Sequence, residues 1–97
     1  MSGNQGKFQK AMSKGHSAAW DQLWDKAASA YREALIEFPD DPKALSSLGL
    51  ALYQIQEFEE ALQTYQRLSE ISPDDPTPFE KRAQLSERLG NLKAAVA

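Results

Sequence analysis

From Pro42 onward the apolar positions fall into two stripes. Leu45, Leu48, Leu52 and Ile55 are spaced by three and four residues, which puts them on one face of a helix. Phe58, Ala61, Leu62, Tyr65 and Leu68 form a second stripe of the same period, and Trp24, Ala27, Ala28, Tyr31, Ala34, Leu35 and Phe38 repeat that second pattern earlier in the chain. The spacing predicts an all-α chain with helices over about 7–21, 24–37, 42–55, 58–71 and 76–89, and a sixth beginning near Leu92. The joins are short, so successive helices should run antiparallel.

The stripes belong to a repeat. Pro39-Asp40-Asp41-Pro42 recurs as Pro73-Asp74-Asp75-Pro76, an offset of 34 residues, and at that offset Gly15 matches Gly49, Ala27 matches Ala61, Tyr31 matches Tyr65 and Trp24 matches Phe58. Each Pro-Asp-Asp-Pro segment separates two helices. The first proline pushes the residue before it out of helical geometry. The second aspartate can accept a bond from an orphan N–H of the next helix, and the second proline fits its first position. Capping accounts for these aspartates; a calcium loop needs more converging oxygens. Gly15 and Gly49 lie inside helices, where glycine costs about 1 kcal/mol relative to alanine. Close approach of a partner helix would explain both, with the aromatic at Trp24 or Phe58 and the small Ala27 or Ala61 as the expected contact.

These residues resemble the tetratricopeptide repeat family, whose unit is 34 residues with small and aromatic residues at set places. The unit 42–75 carries the pattern best, in Leu48-Gly49, Leu52, Phe58, Ala61, Tyr65 and Pro73. The unit 8–41 carries Gly15, Ala18, Trp24, Ala27, Tyr31, Ala34 and Pro39, but has Ala11 and Lys14 where an aromatic and a large apolar residue are usual. An incomplete unit, 76–97, carries Phe79, Ala83, Gly90, Leu92 and Ala95. The resemblance implies a right-handed superhelical array of antiparallel helix pairs, about two and a half repeats over residues 7–97, after a flexible leader at 1–6. The chain stops six residues into the expected sixth helix, as a fragment would.

Composition narrows the function. With 41% apolar and 26% charged residues the chain is ordinary globular material rather than disordered. Eleven Lys and Arg against 14 Asp and Glu give a net charge of −3, with no long-range attraction for nucleic acid or anionic lipid. The basic start (Lys7, Lys10, Lys14) and the acidic Glu57, Glu59 and Glu60 read as solvated helix faces. No apolar run approaches the roughly 20 residues of a membrane helix. The absence of cysteine excludes disulfides, thiolate metal sites and a cysteine nucleophile, and fits a cytoplasmic setting. His16 is the only histidine, the glycines are isolated, and neighbouring carboxylates such as Asp40-Asp41 and Glu59-Glu60 do not face one another on a helix. The expectation is a protein that is no enzyme and uses no cofactor or metal.

The resemblance implies a scaffold that binds a protein or peptide ligand in a concave groove lined by the first helix of each unit. Its lining would include Met12, His16 and Trp20, then Lys43, Ser46, Leu50, Tyr53 and Gln54, then Gln84, Glu87 and Arg88. The alternative is a structural segment whose units mainly stack. Under either reading the second helix of the third unit is barely begun, so Leu85, Leu89 and Leu92 should lack cover and the C-terminal end should self-associate. A carboxylate clamp of the kind some family members use is not expected. Its positions correspond to Met12, His16, Ser47, Thr77 and Lys81, of which one keeps a lysine.

Overall fold

The computed structural model describes the backbone of residues 3–96 and the side chains of residues 3–91. Five helices follow in order: α1 Gln5–Trp20, α2 Trp24–Glu37, α3 Pro42–Gln54, α4 Phe58–Ile71 and α5 Thr77–Val96, with no strand among the described residues. Each packs chiefly on the helix before it and the helix after it, giving the linear stack the 34-residue repeat predicts.

The punctuation works as capping. Asp41 accepts the Ala44 N–H at 2.9 Å with Pro42 at the first helical turn, and Asp75 Oδ1 accepts the Thr77 N–H at 3.0 Å. Asn4 does the same for α1 by accepting from Lys7 N–H at 2.9 Å. That cap starts α1 at Gln5, inside the stretch read as a leader. The Asn4 N–H also donates to Glu37 Oε1 at 3.0 Å, tying the start of α1 to the end of α2.

Within each unit the turn is a left-handed residue. Gln22 and Gln56, 34 apart, have φ of 61° and 66°. Leu23 N–H donates back to Ala18 C=O at 2.8 Å, and Glu57 N–H to Leu52 C=O at 2.9 Å, so both turns close in the same way. The matching residue of the third unit is Gly90, and there the sequence expectation fails. α5 runs on to Val96 as one helix, with no separate helix starting near Leu92. Helix continuation past one glycine costs about 1 kcal/mol. A second helix built from the few residues beyond it could not hold itself together unaided.

The glycines sit under tyrosines. A Cβ on Gly49 would lie 2.6 Å from Tyr65 Cζ, and one on Gly15 2.5 Å from Tyr31 Cε1. The expected contacts with Trp24 and Phe58 are therefore corrected to Tyr31 and Tyr65, seven residues further along the same helices. Each tyrosine ring takes up the space a Cβ would need on its unit's first helix, which only glycine permits.

One core runs through the stack. It includes Ala27, Ala28, Tyr31, Ala34, Leu45, Leu48, Leu52, Phe58, Ala61, Tyr65 and Leu68. It also includes Leu85, which is completely buried, while Leu89 packs against its edge. The expectation that Leu85 lacks cover is thus overturned, because its helical face points back onto α4. Leu92 lies outside the described side chains. Two bridges cross between units: Arg32 forks onto Glu60 at 2.8–3.2 Å, and Arg67 donates to Asp40. All four side chains are solvent-exposed to a large extent, so each bridge contributes at most about 1 kcal/mol.

Burial raises the ionisation of Tyr65 above the usual tyrosine value. Burial raises Tyr31 as well, and a hydrogen bond with Ser47 offsets part of that rise. The folded state therefore holds these phenols neutral after the unfolded chain has begun to lose their protons. Their contribution to stability is fully present below about pH 10 and is lost as pH climbs through the raised values. Urea denaturation at about pH 9 and about pH 11 should show a smaller alkaline loss in Tyr65→Phe than in the parent; equal losses would refute the assignment.

Candidate ligand groove

The first helices α1, α3 and α5 share two hollows. The first, about 440 Å³, lies between α1 and α3 and is lined by Met12, His16, Pro42, Lys43, Ser46, Ser47, Leu68 and Asp75. The second, about 490 Å³, lies between α3 and α5 and is lined by Tyr53, Gln84, Glu87, Arg88 and Asn91. Eight of the eleven expected groove residues fall into these two sets. Leu50 stands between them on α3, one turn from Ser46 and one from Tyr53, and is 41% exposed. Gln54 is exposed at the end of the same helix. Trp20, at the end of α1, is 88% exposed and lines neither hollow.

Tyr31 braces the first hollow from beneath. Its hydroxyl lies 2.8 Å from His16 Nδ1 on α1, and the Ser47 side chain on α3 is near enough to lower the ionisation of the same phenol, so one buried ring sits among three helices. The His16 ring meets the Tyr31 ring edge to face, with centroids 5.4 Å apart. Met12 borders the hollow as expected of the groove lining, but it does so as a core residue, 9% exposed, that shows the hollow only its edge. Residues 11 and 12 of α1 both turn inward, because α1 packs on α2 across one and faces α3 across the other.

The second hollow is built on aromatic rings. Tyr53 and Phe58 meet edge to face with centroids 5.5 Å apart. The Arg88 guanidinium carbon lies 5.4 Å from each ring centroid. Asn91 was missed from the sequence, although it follows Gln84 and Glu87 at helical spacing; reading the helix as ending at 89 hid it. Ser47, Pro42, Leu68 and Asp75 were missed for another reason, since a period marks a face but not which neighbour opens beside it.

A larger hollow, about 600 Å³, lies elsewhere, between α1 and α2, with Lys14, Ala18, Leu23 and Glu33 in its wall. The counterparts of Lys14 and Ala18 one repeat later are Leu48 and Leu52, both buried. That surface is the one a unit uses to stack, and in the first unit it carries a Lys14–Glu33 ion pair at 3.3 Å instead of leucines. Size alone therefore does not mark it as a ligand site. Among the described residues no group of three or more His, Asp or Glu could hold a metal ion, and no helix is long and apolar enough to cross a membrane.

Comparison with known proteins agrees with the repeat. The tetratricopeptide repeat family model matches residues 13–76. Human tetratricopeptide repeat protein 13 is 34% identical over 79 residues, covering 76% of this chain and 9% of that protein, so the chain spans less than a tenth of this relative. Among solved structures, the TPR2AB domain–pHSP90 complex of yeast Sti1 is similar with a TM-score of 0.82 at 22% identity, over 96% of this chain and 36% of that one. The CopN–Scc3 complex is similar with a TM-score of 0.84 at 20% identity, over 93% of this chain and 53% of that one. With its 34-residue units, tyrosines seated on glycines and family match over most of its length, this chain belongs to the tetratricopeptide repeat family.

Proposed function

We propose that the chain is an interaction module that holds a segment of a partner protein along α1, α3 and α5. The observation that carries this reading is the placement of two hollows along one helix, α3, with an exposed Leu50 between them. An apolar side chain left in the open between two recesses of mixed lining fits an amphipathic ligand, an extended peptide or a helix, whose apolar residues rest on Leu50 and Tyr53. The same fold carries partners in the Sti1 and CopN complexes, which supports a binding role. No residue is assigned a catalytic part. The clamp positions do not assemble a cationic site: Met12 is buried, His16 is engaged with Tyr31, and Thr77 opens α5.

Stacking of copies is the weaker reading. A second copy can continue the array in repeat register only by placing its α1 where α5 already packs on α4, so copies cannot stack end to end without displacing that helix.

The test is capture of a display-selected peptide by wild type, Leu50→Ser and Tyr53→Ala. Binding should fall by about tenfold or more, the loss of one well-packed apolar contact, while helical content holds in both variants and the melting temperature holds in Leu50→Ser. Retained capture with a lowered melting temperature would make both residues structural and defeat the proposal.

A further inference from the structure

The second hollow holds a cation with no ion-pair partner among the described residues. Arg88 makes no ion pair and no side-chain hydrogen bond with any described residue, whereas Arg32, Arg67 and Arg82 each donate to a named oxygen. The guanidinium is held in place, packed against Tyr53 and Phe58 at 5.4 Å from both rings. Aromatic contact of this kind attracts the cation and fixes its plane without using its N–H groups. Those donors remain available to the hollow, alongside the side-chain amides of Gln84 and Asn91.

We infer that this hollow is a subsite for a single carboxylate of a bound peptide, an Asp or Glu side chain or the terminal carboxylate, received by the fork of Arg88. A planar, pre-positioned guanidinium matches a carboxylate with two parallel N–H···O bonds. Glu87 shares the hollow and sets the limit on what enters. It repels a run of acidic residues, so the favoured ligand carries one carboxylate flanked by neutral or amide side chains. Together with Leu50, one turn from Tyr53 on α3, the surface then reads a peptide with an apolar residue on one side of Tyr53 and an acidic residue on the other. This rests on the groove reading above and adds to it a ligand class. The site is separate from the clamp positions, none of which lines this hollow.

A randomised heptapeptide library displayed on phage, selected on the full chain, supplies the probes. Selected peptides are remade with their Asp or Glu replaced by Asn or Gln, and with a free or amidated C-terminus, and are titrated against wild type, Arg88→Gln and Arg88→Lys. Removal of the peptide carboxylate and Arg88→Gln should each weaken binding about tenfold, and together little more than either alone. Arg88→Lys should restore only part of the loss, because an ammonium cannot fork. The free-against-amidated comparison tells a terminal carboxylate from a side chain. Peptides that bind wild type and Arg88→Gln equally, while losing affinity to Leu50→Ser, would overturn the subsite and leave the groove standing. A failure to select any peptide would overturn both. Circular dichroism and thermal melting of the Arg88 variants, which give up the contact with Tyr53 and Phe58, verify that the fold is unchanged.

Discussion

Leu85→Ala should be the most damaging single truncation outside the first two units. Leu85 is completely buried, although it lies on a helix with no second helix of its own unit to cover it. Its burial comes from α4, the neighbour on which α5 packs. Truncation of a buried leucine costs about 2–5 kcal/mol, a large part of the stability of a small domain. Because α5 is joined to the rest chiefly through α4, the loss should fall first on α5. Amide exchange in 77–91 should accelerate well before exchange in α3. If α5 and α3 lose protection equally, the helix is not the separable end that its contacts describe. The same burial lowers the expected tendency to self-associate. Sedimentation of the parent chain should show association only where Phe79, 46% exposed, or residues beyond 91 are involved, and Phe79→Ser addresses the first of these.

Glycine-to-alanine substitution should have opposite signs at two positions. In an exposed helix interior the change stabilises by about 0.5–1 kcal/mol. Gly90 meets that condition, since a Cβ there has nothing within 4 Å. Gly49 does not. The added carbon would lie 2.6–3.0 Å from three atoms of the Tyr65 ring, which is 2% exposed and has nowhere to go. Overpacking of that kind costs about 1–3 kcal/mol, more than the helix propensity returns. Thermal denaturation should therefore show Gly90→Ala melting above the parent and Gly49→Ala below it. A rise at both positions would mean that the tyrosine does not fix the glycine.

The repeat made most of the architecture legible before any coordinates. An offset of 34 carries its own check, because matches at Gly15, Ala27 and Tyr31 have to agree with the matched punctuation. The pairing of side chains was less legible. Gly15 and Gly49 were recognised as close approaches, yet the wrong aromatics were matched to them. Trp24 and Tyr31 both fall on the inward face of one helix, and the period does not say which of them lies level with the glycine. Met12 shows the same limit in another form. A residue at the margin of a helical face goes in or out according to how the neighbouring helix crosses it, and that crossing is a three-dimensional fact. The Arg88 site was half visible: Tyr53, Gln84, Glu87 and Arg88 were assigned to one groove, but nothing in sequence spacing places a guanidinium from α5 against two rings that begin 30 and 35 residues earlier.

The chain of neighbours has a mechanical meaning. Every helix leans on the one before and the one after, and the bridges from Arg32 to Glu60 and from Arg67 to Asp40 span 28 and 27 residues without closing a longer circuit. Such a body behaves as a short spring. Pulled from its ends, it should give way from the α5 end first, because α5 is joined to the rest chiefly through α4. The curvature of the groove is then an elastic variable. A bound segment that spans both hollows acts as a strut across the coil, so occupancy should stiffen it, and strain on the coil should loosen the ligand.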